Sequence, residues 1–142
     1  MPSYYDSVKK CRVGTMDEGQ FRAEIDPRSA SFFATLLGSW TKAGGLLRWG
    51  AGGVSLRAAI GGREIAVCFL APQFAGKKDR IELACATLAK QMGSTQLDKL
   101  KAALRAAGSE HVLGTSMISV VEPGLLPPAS QRAVAKAFLD LM

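Results

Sequence analysis

Histidine occurs once in this chain, at position 111, and cysteine only three times, at 11, 68 and 85. A single imidazole excludes every scheme that needs two, and it leaves metal-site readings with few nitrogen ligands. The cysteines are odd in number, far apart, and show neither zinc nor thioredoxin spacing, so they read as reduced thiols in small-residue packing roles. No apolar run reaches the roughly 20 residues that span a bilayer, so no membrane contact is expected. The first 13 residues are polar, carry Lys9 and Lys10 and lack the apolar core of a signal peptide, which makes a cytoplasmic location the expectation. Internal repeats, low-complexity tracts and linkers are missing too, so residues 1–142 are expected to form one domain.

What is present is the composition of a globular protein: 48% hydrophobic and 21% charged residues in 142, long enough to bury a core without metals or disulfides. The net charge of +6 is uneven. Residues 1–26 carry four basic and five acidic groups, residues 111–142 two of each, and residues 27–110 twelve basic against five acidic. A basic middle suits acidic partners such as nucleic acid or another polyanion, and it also serves solubility.

The most ordered pattern lies between Leu46 and Ala71. Val54, Leu56, Ala58 and Ile60 alternate with Ser55, Arg57 and Ala59, and Ile65, Val67 and Phe69 alternate with Glu64, Ala66, Cys68 and Leu70. Gly61-Gly62 between them supplies the positive φ angles of a tight hairpin. That turn pairs Ile60 with Arg63, Ala58 with Ile65, Leu56 with Val67 and Val54 with Phe69. A second turn at 50–53 pairs Trp49 with Val54 and Leu47 with Leu56. Both turns put the apolar sets on one face of a three-stranded meander, which is stronger evidence than propensity alone. The other face then carries Leu46, Arg48, Ser55, Arg57, Ala59, Glu64, Ala66, Cys68 and Leu70, a surface too small and too apolar to be freely solvated.

Before the meander, Cys11–Val13 and Phe21–Ile25 read as a strand pair, and Asp26-Pro27 opens a helix with Phe33, Leu36, Leu37 and Trp40 on one stripe, stopped at Gly44-Gly45. After it, Asp79 and Glu82 have the spacing of a capping box for a helix carrying Ile81, Ala84, Cys85, Leu88 and Met92 on one face. Thr95 and Asp98 open the next, with a Leu97, Leu100, Leu104, Ala107 stripe closed by Gly108. A strand within 111–121 and a last helix with Val134, Ala137, Phe138 and Leu141 follow. The expected fold is therefore α+β, a mainly antiparallel sheet with four helices packed on it, in the order ββ-α-βββ-αα-β-α.

Candidate chemistry is thin. His111 with Ser116 or a cysteine offers a base and a nucleophile, but no spacing brings them together. Asp79, Glu82 and Lys90 suggest a metal-dependent nuclease, yet the capping box already accounts for the two acids. Gly76-Lys77-Lys78 before a helix start offers amides, a helix dipole and two ammonium groups to an anion. No catalytic residue, cofactor or metal is assigned. The sequence is best read as a non-catalytic interaction module that uses the outer sheet face or an edge, with Arg48, Arg57, Ala66, Cys68 and Leu70 as the contact surface and a second copy or another protein as partner. The alternative is binding of nucleic acid or another polyanion through Arg48, Arg57, Arg63, Lys77, Lys78 and Arg80. A third reading, an enzyme on a small anionic substrate, requires a pocket joining His111 or Glu64 to a lysine.

Overall fold

Asp17 Oδ1 accepts the backbone N–H of Gln20 at 2.8 Å, and this cap starts a helix at Glu18. The segment 21–25, expected as a strand, is therefore helical through Glu24, and Phe21 and Ile25 are buried as neighbours four positions apart. The computed structural model describes residues 1–74, 76–107 and 117–142, and residues 111 and 112 by their backbone. The chain runs β1 (Tyr4–Asp6), β2 (Cys11–Val13), α1 (Glu18–Glu24), α2 (Ala30–Lys42), β3 (Leu46–Trp49), β4 (Val54–Ile60), β5 (Arg63–Ala71), β6 (Arg80–Ala84), α3 (Cys85–Met92), α4 (Ser94–Ala106), β7 (His111–Val112), β8 (Met117–Val121) and α5 (Pro128–Leu139), with short 3-10 turns at Pro27–Ser29 and Pro123–Leu125. β1 and β2 form their own two-stranded sheet, so Cys11–Val13 pairs with Tyr4–Asp6 and not with the segment after it. The other six strands form one antiparallel sheet in the order β3-β4-β5-β6-β8-β7. The class is α+β, with five α-helices among the described residues where four were expected.

The meander forms where the glycines place it. Gly61 and Gly62 have φ of 60° and 79°, closing the two-residue hairpin, and Ala58–Ile65 and Ile60–Arg63 pair as the turn dictates. Trp49–Val54 and Leu47–Leu56 pair as well. The match ends at Leu56: Arg57 pairs with Ala66 but Leu56 with Cys68, so Val67 is an extra residue, a β-bulge. Beyond it every side chain changes face. Cys68 and Leu70 are 4% and 0% exposed and point into the core, and Phe69 takes their place on the other side. Gly53 fits the bulged strand because a Cβ there would lie 2.0 Å from the Leu70 carbonyl oxygen, at a φ of 145°.

The expected helix from Asp79 is also corrected. Arg80–Ala84 is a strand in the middle of the sheet, between β5 and β8, with Ile81 and Leu83 fully buried and Arg80, Glu82 and Ala84 on the other face. Period-two burial of two aliphatic side chains outweighs a local capping signal worth about 1 kcal/mol. Asp79 caps no helix, and the one that follows starts at Cys85. Asp26 accepts the Arg28 N–H at 2.9 Å and caps the 3-10 turn Pro27–Ser29, so the α-helix expected from Asp26-Pro27 starts only at Ala30, without a side-chain cap bond, and its stripe of Phe33, Leu36, Leu37 and Trp40 is buried. α4 buries Leu97, Leu100 and Leu104 but begins at Ser94 with no side-chain cap bond, so Thr95 does not cap it; its expected stop, Gly108, lies outside the described residues. The expected strand at 111–121 is described as β7 and β8, with 113–116 outside the described residues. α5 buries Val134, Ala137 and Phe138.

The buried residues form one cluster that runs from Met16 to Phe138 and joins the helices to Val54, Leu56, Ile65, Leu70, Ile81, Leu83, Ile118 and Val120 of the sheet. The helices therefore lie on that side of the sheet. No described helix is long and apolar enough to cross a membrane.

Candidate interaction face

Cross-strand partners in a sheet share a face, so the register alone lays out the side of the sheet away from the helices. One row crosses five strands, Arg48, Ser55, Phe69, Glu82 and Ser119, and the backbone of His111 pairs with Ser119 at its end. A second holds Leu46, Arg57 and Ala66, and a third Ala59 and Glu64. Arg48, Ala59, Glu64 and Ala66 are exposed, Leu46 is 52% exposed, and Ser55, Arg57, Phe69 and Glu82 are half-buried. Ala71 and Ser119 on the same side are 3% and 1% exposed, so the open part of this face is the meander side and not the β6–β8 side.

Its charges are mostly paired within the sheet. Arg57 Nε lies 3.0 Å from Glu64 Oε2, and Arg80 pairs with Glu82 while donating to the Lys78 carbonyl at 3.1 Å. The Arg48 side chain has no ion-pair partner among the described residues. Of the five residues expected to form the contact surface, Arg48, Arg57 and Ala66 lie on this face. Cys68 and Leu70 do not, because the Val67 bulge turns them inward. Reading alone missed Phe69 and Glu82, and no signal marked Phe69, since its strand is apolar on both sides.

The other candidate residues are not gathered. Arg63 stands at the start of β5 and Lys77-Lys78 beyond its end, roughly 25 Å apart at strand spacing. Phe74 and Lys77 exchange backbone hydrogen bonds of 3.0 and 2.9 Å across a tight turn at Gly76, and the chain then enters β6. No helix N-terminus stands there, so the expected amide and dipole contribution to an anion site is absent from that loop. Asp79 and Glu82 face different partners: Asp79 Oδ2 accepts the Asp26 N–H at 3.0 Å, and Glu82 binds Arg80. Among the described residues no three His, Cys, Asp or Glu side chains group as metal ligands. His111 is placed opposite Ser119 by register, while its side chain and Ser116 lie outside the described residues.

Two other features stand out. A groove of about 550 Å³ between α4 and α5 is lined by Met92, Lys99, Leu100, Ala137, Asp140 and Leu141, with Asp140 held 2.6 Å from Lys136. Around Asp79, 1% exposed, burial pushes the carboxyl pKa up, and the nearby charges of Asp26 and Glu122 push the same way. Asp26 itself is drawn down to about 2 by its hydrogen bonds from Arg28. Comparison of the chain with protein-family models, curated proteins and solved structures finds no match among them.

Proposed function

We propose that the protein is a non-catalytic interaction module, a single domain acting in the cytoplasm, whose working surface is the open outer face of its three-stranded meander. The observation that carries this reading is a patch on that face: exposed Leu46, Ala59 and Ala66 and half-buried Phe69 contribute apolar surface on a flat sheet whose other side is filled by helices. Arg48 borders that surface, and Arg57 lies within it between Leu46 and Ala66, its charge paired with Glu64. Three unpaired thiols, one of them exposed, suit a reducing compartment.

The test is a photo-cross-linking amino acid placed at position 59 or 66, with position 102 on α4 as control, since all three are exposed. Adducts formed in cells from 59 and 66 and not from 102 are the expected result. No adduct from the sheet positions, or equal yields from the helix position, would remove the reading.

A further inference from the structure

We infer that the occupant of the open face is a second copy of this chain, packed sheet to sheet about a two-fold axis that runs parallel to the strands between β4 and β5. This inference rests on the reading of that face as an interaction surface, and names its partner.

The order of residues along the row supplies the argument. From β3 to β6 it reads Arg48, Ser55, Phe69, Glu82: cation, small polar, aromatic, anion. A two-fold axis along the strands turns a second sheet over and reverses this order, so Arg48 of one copy lies above Glu82 of the other, and Ser55 above Phe69. Each contact, the charged one included, occurs twice, as an isologous interface requires. A two-fold axis across the strands on the same row would instead stack Arg48 on Arg48 and Glu82 on Glu82. The charge order therefore selects the axis direction. It also engages Arg48, the cation of the row without a partner among the described residues.

The same axis sets Arg57 above the second copy's Ala66, and Ala59 above its Glu64. Small residues at 59 and 66 leave room for the arginine and glutamate opposite. Packed sheets stand about 10 Å apart and are rotated by about 30°. That rotation moves the ends of a four-strand row, about 7 Å from the axis, by about 4 Å, within the reach of an arginine side chain. β4 and β5 overlap over about seven residues and β3 and β6 over about four, each pair of strands about 10 Å wide, so about 350 Å² of each sheet is covered. About 700 Å² in total is below the size of standard specific interfaces, so the dimer is a weak, high-micromolar one.

Equilibrium sedimentation of the purified chain tests this. The expected mass rises from 15.0 kDa toward twice that value across the high-micromolar range. Ala66→Arg places a cation above Arg57 and weakens the dimer about threefold to tenfold, while Ala66→Glu strengthens it by a similar factor. Arg48→Glu weakens it, and Arg48→Glu with Glu82→Arg in the same chain restores it. Position 66 is exposed, so its two variants keep the test valid if Glu82→Arg disturbs the Arg80 pair. A mass that stays at 15.0 kDa to several hundred micromolar overturns the inference, as does a dimer indifferent to the sign at position 66. If the chain is monomeric but cross-links from position 66 to a different protein in cells, the second copy is overturned and the interaction reading stands. No cross-link of either kind overturns both.

Discussion

The backbone N–H of Asp26 donates to Asp79 Oδ2 at 3.0 Å, joining two residues 53 positions apart. On its other side, the Asp79 carbonyl accepts the Glu122 N–H at 2.9 Å. Asp79 thus ties the turn before α2 to the start of β6 and the end of β8, and Gly124 lets the second turn approach closely, since a Cβ there would sit 2.3 Å from the Ser29 Cα. Asp79 Oδ1 and Ser29 Oγ are both buried at this joint.

An acid whose pKa is raised by folding keeps its proton in the native state where the unfolded chain has lost it. Stability then falls as pH rises from about 3.9 through the folded pKa, and the cost persists above it. For Asp79 the shift is upward, from burial, so Asp79→Asn is expected to gain stability relative to the parent between about pH 4 and neutrality. Asp26 works the other way: its pKa of about 2 gives a contribution that is present above about pH 4 and lost on acidification. Asp79→Ala removes the acceptor of the Asp26 N–H and should cost about 1–3 kcal/mol. Urea midpoints at several pH values decide this, and a parent and Asn variant with parallel profiles would refute it.

Trp40 is fully buried, and its Nε1 lies 3.1 Å from the carbonyl oxygens of both Leu46 and Arg57, joining α2 to the edge strand β3 and to β4. Trp40→Phe loses that donor and leaves a small cavity, and should cost about 2–4 kcal/mol. Gly45 packs directly on the indole, where an added Cβ would come within 2.3 Å of Nε1, so Gly45→Ala is also destabilising. Because phenylalanine lacks the atom that the Cβ would strike, the double variant should cost less than the two single costs combined. Simple additivity in denaturant unfolding would contradict this packing.

Arg12 holds the β1–β2 sheet against the rest of the chain. Its guanidinium makes a forked pair with Glu24, 2.7 and 3.1 Å, donates from Nε to Ser3 Oγ at 2.9 Å, and lies 4.9 Å from the centre of the Phe74 ring. The Arg12 hydrogen bonds hold the Glu24 carboxyl below its usual range, so this contribution is present above about pH 4 and lost as pH falls. Arg12→Lys keeps the charge but not the fork, and should cost about 1–2 kcal/mol. Hydrogen exchange of the amides in 4–6 and 11–13 should quicken while those of β4 and β5 stay slow, and uniform acceleration would count against a local tie.

Where side-chain chemistry and backbone demands coincided, the sequence was readable. Gly61-Gly62 reaches the two positive φ angles that a two-residue hairpin demands, so the turn, the register beside it and the positions of Arg57 and Ala66 followed. The bulge left no trace, because Val67, Cys68, Phe69 and Leu70 are all apolar and alternation carries no information in such a run. At Asp79 and Glu82 a capping spacing was read locally, whereas long-range pairing with β5 and β8 decided the outcome. Phe21 and Ile25 fit a strand or a helix equally well, and the Asp17 cap settled the choice. The candidate face was thus half legible: Arg48, Arg57 and Ala66 were found, and Phe69 and Glu82 were hidden by the two misread segments.

The bulge has its own test in the thiols. Cys11 is exposed, Cys68 and Cys85 are buried, and burial pushes the Cys68 thiol pKa well up. A disulfide reagent should therefore titrate one fast thiol in the native protein, mapped to Cys11, and three after unfolding. An unbulged strand would instead put Cys68 opposite Ser55 on the open face, and fast labelling of Cys68 would reinstate that register. Deleting Val67 extends the test, because the pairs flanking the bulge, Ala66 with Arg57 and Cys68 with Leu56, become a continuous ladder without any other residue changing face. The deletion removes one buried aliphatic side chain, 1% exposed, and should cost about 1.5–3 kcal/mol while leaving Cys68 protected. In a regular strand the same deletion would reverse the facing of every residue beyond it and expose Cys68 or unfold the chain, so a folded deletion variant with a slow Cys68 distinguishes the two arrangements.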